Sequence, residues 1–129
     1  MIEKDFSDYL TNFDYDERRA MKIQAPEALR LYQEGEAQLV DIRFAEEQAA
    51  WRLGFDLHIP LNQLPGRLDE LDPDKTIITM CPHYDRAEIA RLFLALKGFH
   101  ARYLTDGILG VANILRGDSA REYMATLRG

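Results

Sequence analysis

The sequence predicts an α/β domain with a mainly parallel sheet covered by helices on both faces. Three observations lead there. Short apolar runs of strand length alternate with segments whose apolar residues recur at helical spacing. Turn signals such as Asp72-Pro73-Asp74 and Asp106-Gly107 separate them. With 129 residues, the chain holds one sizeable core and not two.

The elements follow in order. Phe6, Tyr9, Leu10 and Phe13 fall at helical spacing, and a polar link, Asp14 to Arg19, follows. Residues 1–22 therefore read as an N-terminal helical extension, and 23–129 as the domain proper. The aromatic stripe fits packing on the domain's own surface or a homodimer contact. Pro26 and Glu27 suit the first turn of a helix that Gly35 closes. Gln38 to Ile42 reads as a buried strand, Ala45 to Trp51 as a helix, and Leu57-His58-Ile59 as a short strand ended by Pro60. Thr76 to Met80 reads as the next strand. In the following helix Asp85 and Glu88 have capping-box spacing, and Ile89, Leu92, Phe93 and Leu96 supply an apolar face. Ala101 to Leu104 is the last strand. A helix follows Asp106-Gly107 and ends near Gly117, and Ser119 with Glu122 opens a C-terminal one.

Composition narrows the function. Apolar residues make up 47% and charged residues 29%, and the formal net charge is −6 with scattered cations. Binding nucleic acid needs clustered Lys and Arg, so no such partner is expected. The acidic N-terminal residues lack an apolar signal region, and the greasiest stretch, Ile89 to Phe99, is too short for a bilayer. The expectation is a cytoplasmic protein without a membrane partner. A lone cysteine makes neither an internal disulfide nor a cysteine-based zinc site, and no His has ligand-like spacing. No metal or cofactor is expected.

That cysteine, Cys81, follows an apolar strand and precedes a helix N-terminus. Ligands bind at the carboxyl ends of strands in open parallel sheets, where free N–H groups and the helix dipole favour an anion. Cys81 is therefore expected to be rich in thiolate, with a pKa below the free value of about 8.5. Arg86 adds a positive charge on the first helical turn. The alternative is a small apolar residue that merely ends a core strand. Asp85 either brings a negative charge near the sulfur or is spent as the helix cap. His83 either serves the thiol as a proton donor or points at water. Tyr84 completes the candidate loop, Cys81 with His83, Tyr84, Asp85 and Arg86.

The five-residue step from Cys81 to Arg86 resembles the active-site loop of rhodanese-like sulfurtransferases. Leu39-Val40-Asp41-Ile42-Arg43 with Glu46-Glu47, Ile59-Pro60-Leu61, and Gly98-Phe99 with Asp106-Gly107-Ile108 resemble further motifs of that family, in the same order. The resemblance covers roughly residues 23–117. It implies a rhodanese-like three-layer domain around a mainly parallel five-stranded sheet. It also implies a sulfurtransferase: Cys81 takes sulfur from thiosulfate, a mercapto acid or a persulfide, and passes it to a thiol or a protein acceptor. In that reading the loop amides hold the persulfide anion, and Arg86 orients the loop and binds an anionic donor.

Pro82 and Tyr84 stand where the family commonly has Arg and Gly. Pro82 removes one backbone N–H from the cradle, and Tyr84 lacks glycine's freedom. A non-enzymatic sulfur carrier or a regulatory binding module therefore remains as an alternative. A phosphatase-like or arsenate-reductase-like site ranks below both, because the residue before the cysteine is Met80 and the loop is short. Asp41 and Arg43 are expected to form a structural ion pair, and Trp51 to cover the core.

Overall fold

The computed structural model describes residues 3–128; Met1, Ile2 and Gly129, the outer ends of the two expected segments, lie outside the described residues. Five parallel strands stand in the order β1-β5-β4-β2-β3. They are β1 (Lys22–Ile23), β2 (Ala37–Asp41), β3 (Leu57–His58), β4 (Thr76–Met80) and β5 (Ala101–Leu104). The fifth, β1, is a two-residue edge paired with Tyr103 and Leu104, and it begins one residue before the expected domain boundary. Among the described residues seven α-helices connect and flank the strands: α1 (Phe6–Thr11), α2 (Tyr15–Ala20), α3 (Ala25–Gln33), α4 (Ala45–Ala50), α5 (Asp85–Leu96), α6 (Gly107–Ile114) and α7 (Gly117–Arg128). Among the described residues no helix is long and apolar enough to cross a membrane.

The central strand β4 shows how the layers arise. Successive side chains of a strand point to opposite faces. Ile78 and Met80 pack with Leu29 of α3 and Ile108 and Val111 of α6. Ile77 and Cys81 pack on the other face, with Ala87, Ala90 and Leu94 of α5. Between them Thr79 is fully buried, and its hydroxyl donates to the Ala87 carbonyl at 2.7 Å. Strand parity therefore puts Cys81 on the α5 side.

Helix α5 turns a different face to the sheet than its apolar spacing suggests. Ala87, Ala90, Leu94 and Ala95 are buried, whereas Ile89 is 60% exposed. Alanines let the helix axis approach the strands closely, and that close approach outweighs the larger side chains. Beside them Arg91 is buried, and it ties the N-terminal segment down. Its guanidinium donates to the Ala101 carbonyl (2.9 Å), to the Tyr9 hydroxyl (2.7 Å) and to Glu17 (3.3 Å). Tyr9 is the only buried residue of α1. The residues expected to form a polar link are instead the helix α2, capped by the Asp14 carboxylate on the Glu17 amide.

Below the sheet's carboxyl edge lies a buried ion pair. Arg43 and Asp41 are each about 1% exposed and joined by three side-chain hydrogen bonds of 2.9–3.1 Å. Arg43 also donates to the Trp51 carbonyl at 2.8 Å, and its guanidinium stacks 4.5 Å from the Trp51 ring centre. Trp51 is 39% exposed, so it covers this cation and not the apolar core. Removing one partner leaves a buried charge unpaired. Asp41→Ala is therefore expected to cost about 3–5 kcal/mol, read as a lowered denaturant midpoint with unchanged slope. A loss below ~1 kcal/mol would mean that the pair behaves like a surface one.

Candidate active site

The loop from Cys81 to Tyr84 joins β4 to α5. Its second face is α6: the Ile108 N–H donates to the Cys81 carbonyl at 2.8 Å. Gly107, which opens α6 at φ +70°, lies so close that a Cβ there would stand 2.1 Å from the Pro82 carbonyl oxygen. Only glycine supplies both that φ and that clearance. Asp106, the residue before it, accepts the Ala25 N–H at the start of α3 at 3.0 Å, so the turn behind the loop is anchored to a second helix.

Cys81 is fully buried, whereas His83, Tyr84 and Asp85 above it are exposed. The sulfur thus lies one side chain below solvent. Its Sγ accepts the Ala87 N–H at 3.4 Å. The N–H groups of Arg86 and His83 also favour its ionised form. Pro82 contributes none, and the cradle is built from the amides that remain. Tyr84 adopts φ −149°, so the loop needs no left-handed residue at this position.

Three expectations for this loop are corrected. Burial pushes the Cys81 thiol above the usual cysteine range, against the pull of the amides, and the Asp85 carboxylate pushes it the same way. The resting sulfur is therefore a thiol and is not rich in thiolate. Asp85 is not the helix cap: Tyr84 takes the N-cap position without a side-chain bond. Asp85 opens the helix, and its Oδ1 faces the Cys81 Sγ at 3.8 Å. Arg86 does not point at the sulfur. Its guanidinium makes two hydrogen bonds to Glu47, at 2.7 and 2.9 Å, and the Phe44 ring lies 5.8 Å from it. The guanidinium matches a carboxylate better than a single sulfur, and the sequence itself supplies that carboxylate.

Glu47 is the residue that sequence reasoning missed. It was visible as the second acid of the Glu46-Glu47 pair, but no spacing links position 47 to position 86. Its Oε2 also accepts the Phe44 N–H at 3.0 Å, closing the first turn of α4. Arg86, with smaller help from that N–H, holds the Glu47 carboxyl down at about 2. Asp41 and Arg43 line no part of the sulfur's immediate surroundings. His58 bonds the Arg43 carbonyl at 2.9 Å and serves that lower layer. The His83 ring is exposed and makes no protein hydrogen bond among the described residues. Loop, helix and sheet edge thus enclose one sulfur atom, with a charge-paired arginine nearby.

Known proteins share this fold. A family model described as a rhodanese-like domain matches residues 24–113. The chain is 29% identical over 83 residues to the thiosulfate sulfurtransferase GlpE of Pseudomonas aeruginosa, covering 64% of this chain and 76% of that one. The solved structure of reduced CoADR-RHD from Bacillus anthracis superposes with a TM-score of 0.68 at 26% identity, over 77% of this chain but 18% of that one. This chain therefore spans less than a fifth of that larger protein. A rhodanese-related protein from Thermoplasma volcanium superposes with a TM-score of 0.63 at 22% identity, over 71% of this chain and 90% of that one.

The Glu47–Arg86 pair makes a prediction about acid stability. The folded pKa of Glu47, about 2, lies below its usual value of 4.5. The pair's contribution is therefore complete above the usual value and is lost as pH falls toward the folded one. Glu47→Gln is expected to unfold earlier than the native chain at neutral pH, and the gap should close in acid. Denaturant midpoints over a pH series measure this; a gap that stays constant would assign the loss to packing.

Proposed function

Because the chain belongs to the rhodanese-like domain family, we propose that it is a sulfurtransferase carrying sulfane sulfur as a persulfide on Cys81. One observation carries this reading: at the carboxyl end of β4 the Ala87 N–H donates to the Cys81 sulfur at 3.4 Å, and the N–H groups of Arg86 and His83 also favour its ionised form. Such a cradle suits a small sulfur anion.

The transfer has two halves. Cys81 loses its proton to solvent, and its thiolate attacks the outer sulfur of the donor. A new S–S bond forms as the donor's S–S bond, or the C–S bond of mercaptopyruvate, breaks, and the leaving sulfite, thiolate or pyruvate enolate keeps the bonding pair. An acceptor thiolate then attacks the outer sulfur of the persulfide, and Cys81 departs as a thiolate. A persulfide is a stronger acid than a thiol, so the same amides that leave the resting cysteine protonated hold the loaded form as an anion. The S–S bond of about 2.05 Å separates the transferable sulfur from the buried Sγ.

A second reading is favoured by two facts of the site, the buried sulfur and the engaged Arg86: a sulfur carrier loaded by another protein, without turnover of its own. Intact mass distinguishes the two. Incubation with thiosulfate, mercaptopyruvate or cysteine persulfide is expected to add one sulfur atom, and Cys81→Ser is expected to add none. Discharge to a small thiol with repeated turnover supports the enzyme. Loading without turnover supports the carrier, and no loading by any of these donors overturns the enzyme.

The pH dependence of loading follows from burial of the thiol. The reactive fraction is thiolate, which grows as pH rises through the pKa, and that pKa lies above the usual cysteine range. The loading rate should therefore keep climbing beyond about pH 8.5 without levelling off. Asp85→Asn removes a like charge and should move the profile toward acid. A plateau below neutral pH in the native chain would contradict the geometry of the buried thiol.

A further inference from the structure

Helix α5 leaves an apolar stripe uncovered. Phe6, Leu10 and Phe13 of the N-terminal segment and Ile89 and Leu92 of α5 line a groove of about 400 Å³. Phe6 is 48% exposed, Leu10 57% and Ile89 60%, so the two helices meet through Tyr9 and Arg91 and leave their larger side chains in solvent. The groove ends at the candidate site. Asp85, which faces the Cys81 sulfur at 3.8 Å, also lines the groove, with Glu88 one turn further on. Among the described residues neither acid has an ion-pair partner. On the other side of Tyr9, a second cleft is lined by Asp5, Asp8 and Asp14.

We infer that this groove docks an apolar, positively charged segment of a protein that exchanges sulfur with Cys81. The inference rests on the sulfurtransferase reading and specifies its partner. Charge selects the occupant. An apolar face bordered by unpaired carboxylates takes a segment whose hydrophobic residues alternate with Lys or Arg, as when an amphipathic helix lies in a groove. A second copy of this chain fits poorly, because a self-complementary contact brings the same acids face to face. The site agrees with the groove. Arg86 is neutralised by Glu47 and Asp85 stands beside the sulfur, so a free dianion such as thiosulfate meets little attraction. A persulfide or thiol carried on a basic segment meets complementary charge and arrives beside the loop.

The test compares donors on the full chain. The probes are a Leu/Lys peptide with one cysteine persulfide, a Leu/Glu peptide carrying the same group, thiosulfate, and free cysteine persulfide. Loading of Cys81 is followed by intact mass. The cationic peptide should load roughly tenfold or more faster than the anionic one at low salt, and salt should erode the difference. Leu10→Ser with Ile89→Ser, both exposed changes, should remove that advantage and leave loading by free cysteine persulfide unchanged. Thermal melts check that the variant folds. Equal rates from the two peptides, or no effect of the variant, would overturn the inference and leave the sulfurtransferase reading intact. No loading even by free cysteine persulfide would overturn that reading, and this one with it. A dimer in light scattering that dissociates in the variant would assign the groove to a second copy and overturn the inference as well.

Discussion

One constraint organises the molecule: the backbone between Met80 and Ala87 must turn its amides inward onto a sulfur while packed between two helices. On one side Thr79 holds the first turn of α5 through the Ala87 carbonyl, the same residue whose N–H reaches Cys81. On the other, Ile108 grips the Cys81 carbonyl and Gly107 presses against the Pro82 and His83 carbonyls. The loop carbonyls therefore point toward α6 and the amides toward the sulfur. A peptide unit cannot present both groups to one side, so the helix that receives the carbonyls is as necessary to the cradle as the amides themselves.

The same logic explains why the arginine lies where it does. A fork of two N–H donors is satisfied by a carboxylate and wasted on one sulfur atom. Glu47 takes both donors and also closes the first turn of α4 through Phe44. The pair thus fastens α4 to α5 across the sheet's carboxyl edge, a positioning role and not a direct contact with the sulfur. Asp41 and Arg43 repeat the arrangement one layer down, fully buried and sealed by Trp51.

Much of this was legible in the sequence. Strand parity and turn residues located β2, β4, β5 and the cysteine-bearing loop, because buried parallel strands are short apolar runs bounded by breakers. The edge strand β1 was not legible, since two residues make no pattern; it exists because Tyr103 and Leu104 offer a free edge. Spacing placed Ile89 on the inner face of α5, but periodicity finds an apolar stripe without saying which stripe the sheet prefers, and the smaller alanines won. The thiol reads as ionised from its helix N-terminus and the nearby Arg86. That local rule omits what tertiary packing adds, namely burial of the sulfur and the engagement of Arg86 by Glu47. Nor does any local pattern join Glu47 to Arg86, which only the parallel crossover brings together.

Burial of the thiol and stabilisation of a sulfur anion are therefore compatible within one loop. A protonated cysteine is inert toward adventitious electrophiles, because reactivity belongs to the thiolate. In the proposed cycle, the more acidic persulfide ionises once sulfur is added, and amides too weak to ionise the resting thiol suffice to retain the loaded anion. On that reading the cradle discriminates between the two states of the same residue by their acidity. Asp85 sharpens that difference: its carboxylate opposes a negative charge on Sγ at 3.8 Å, and it acts more weakly on an outer sulfur one bond further away wherever the added bond leads away from it. Under the proposed sulfurtransferase reading, a site built this way rests unreactive and holds its cargo, with its exposed neighbours Tyr84 and Asp85 left at the surface for the proposed partner.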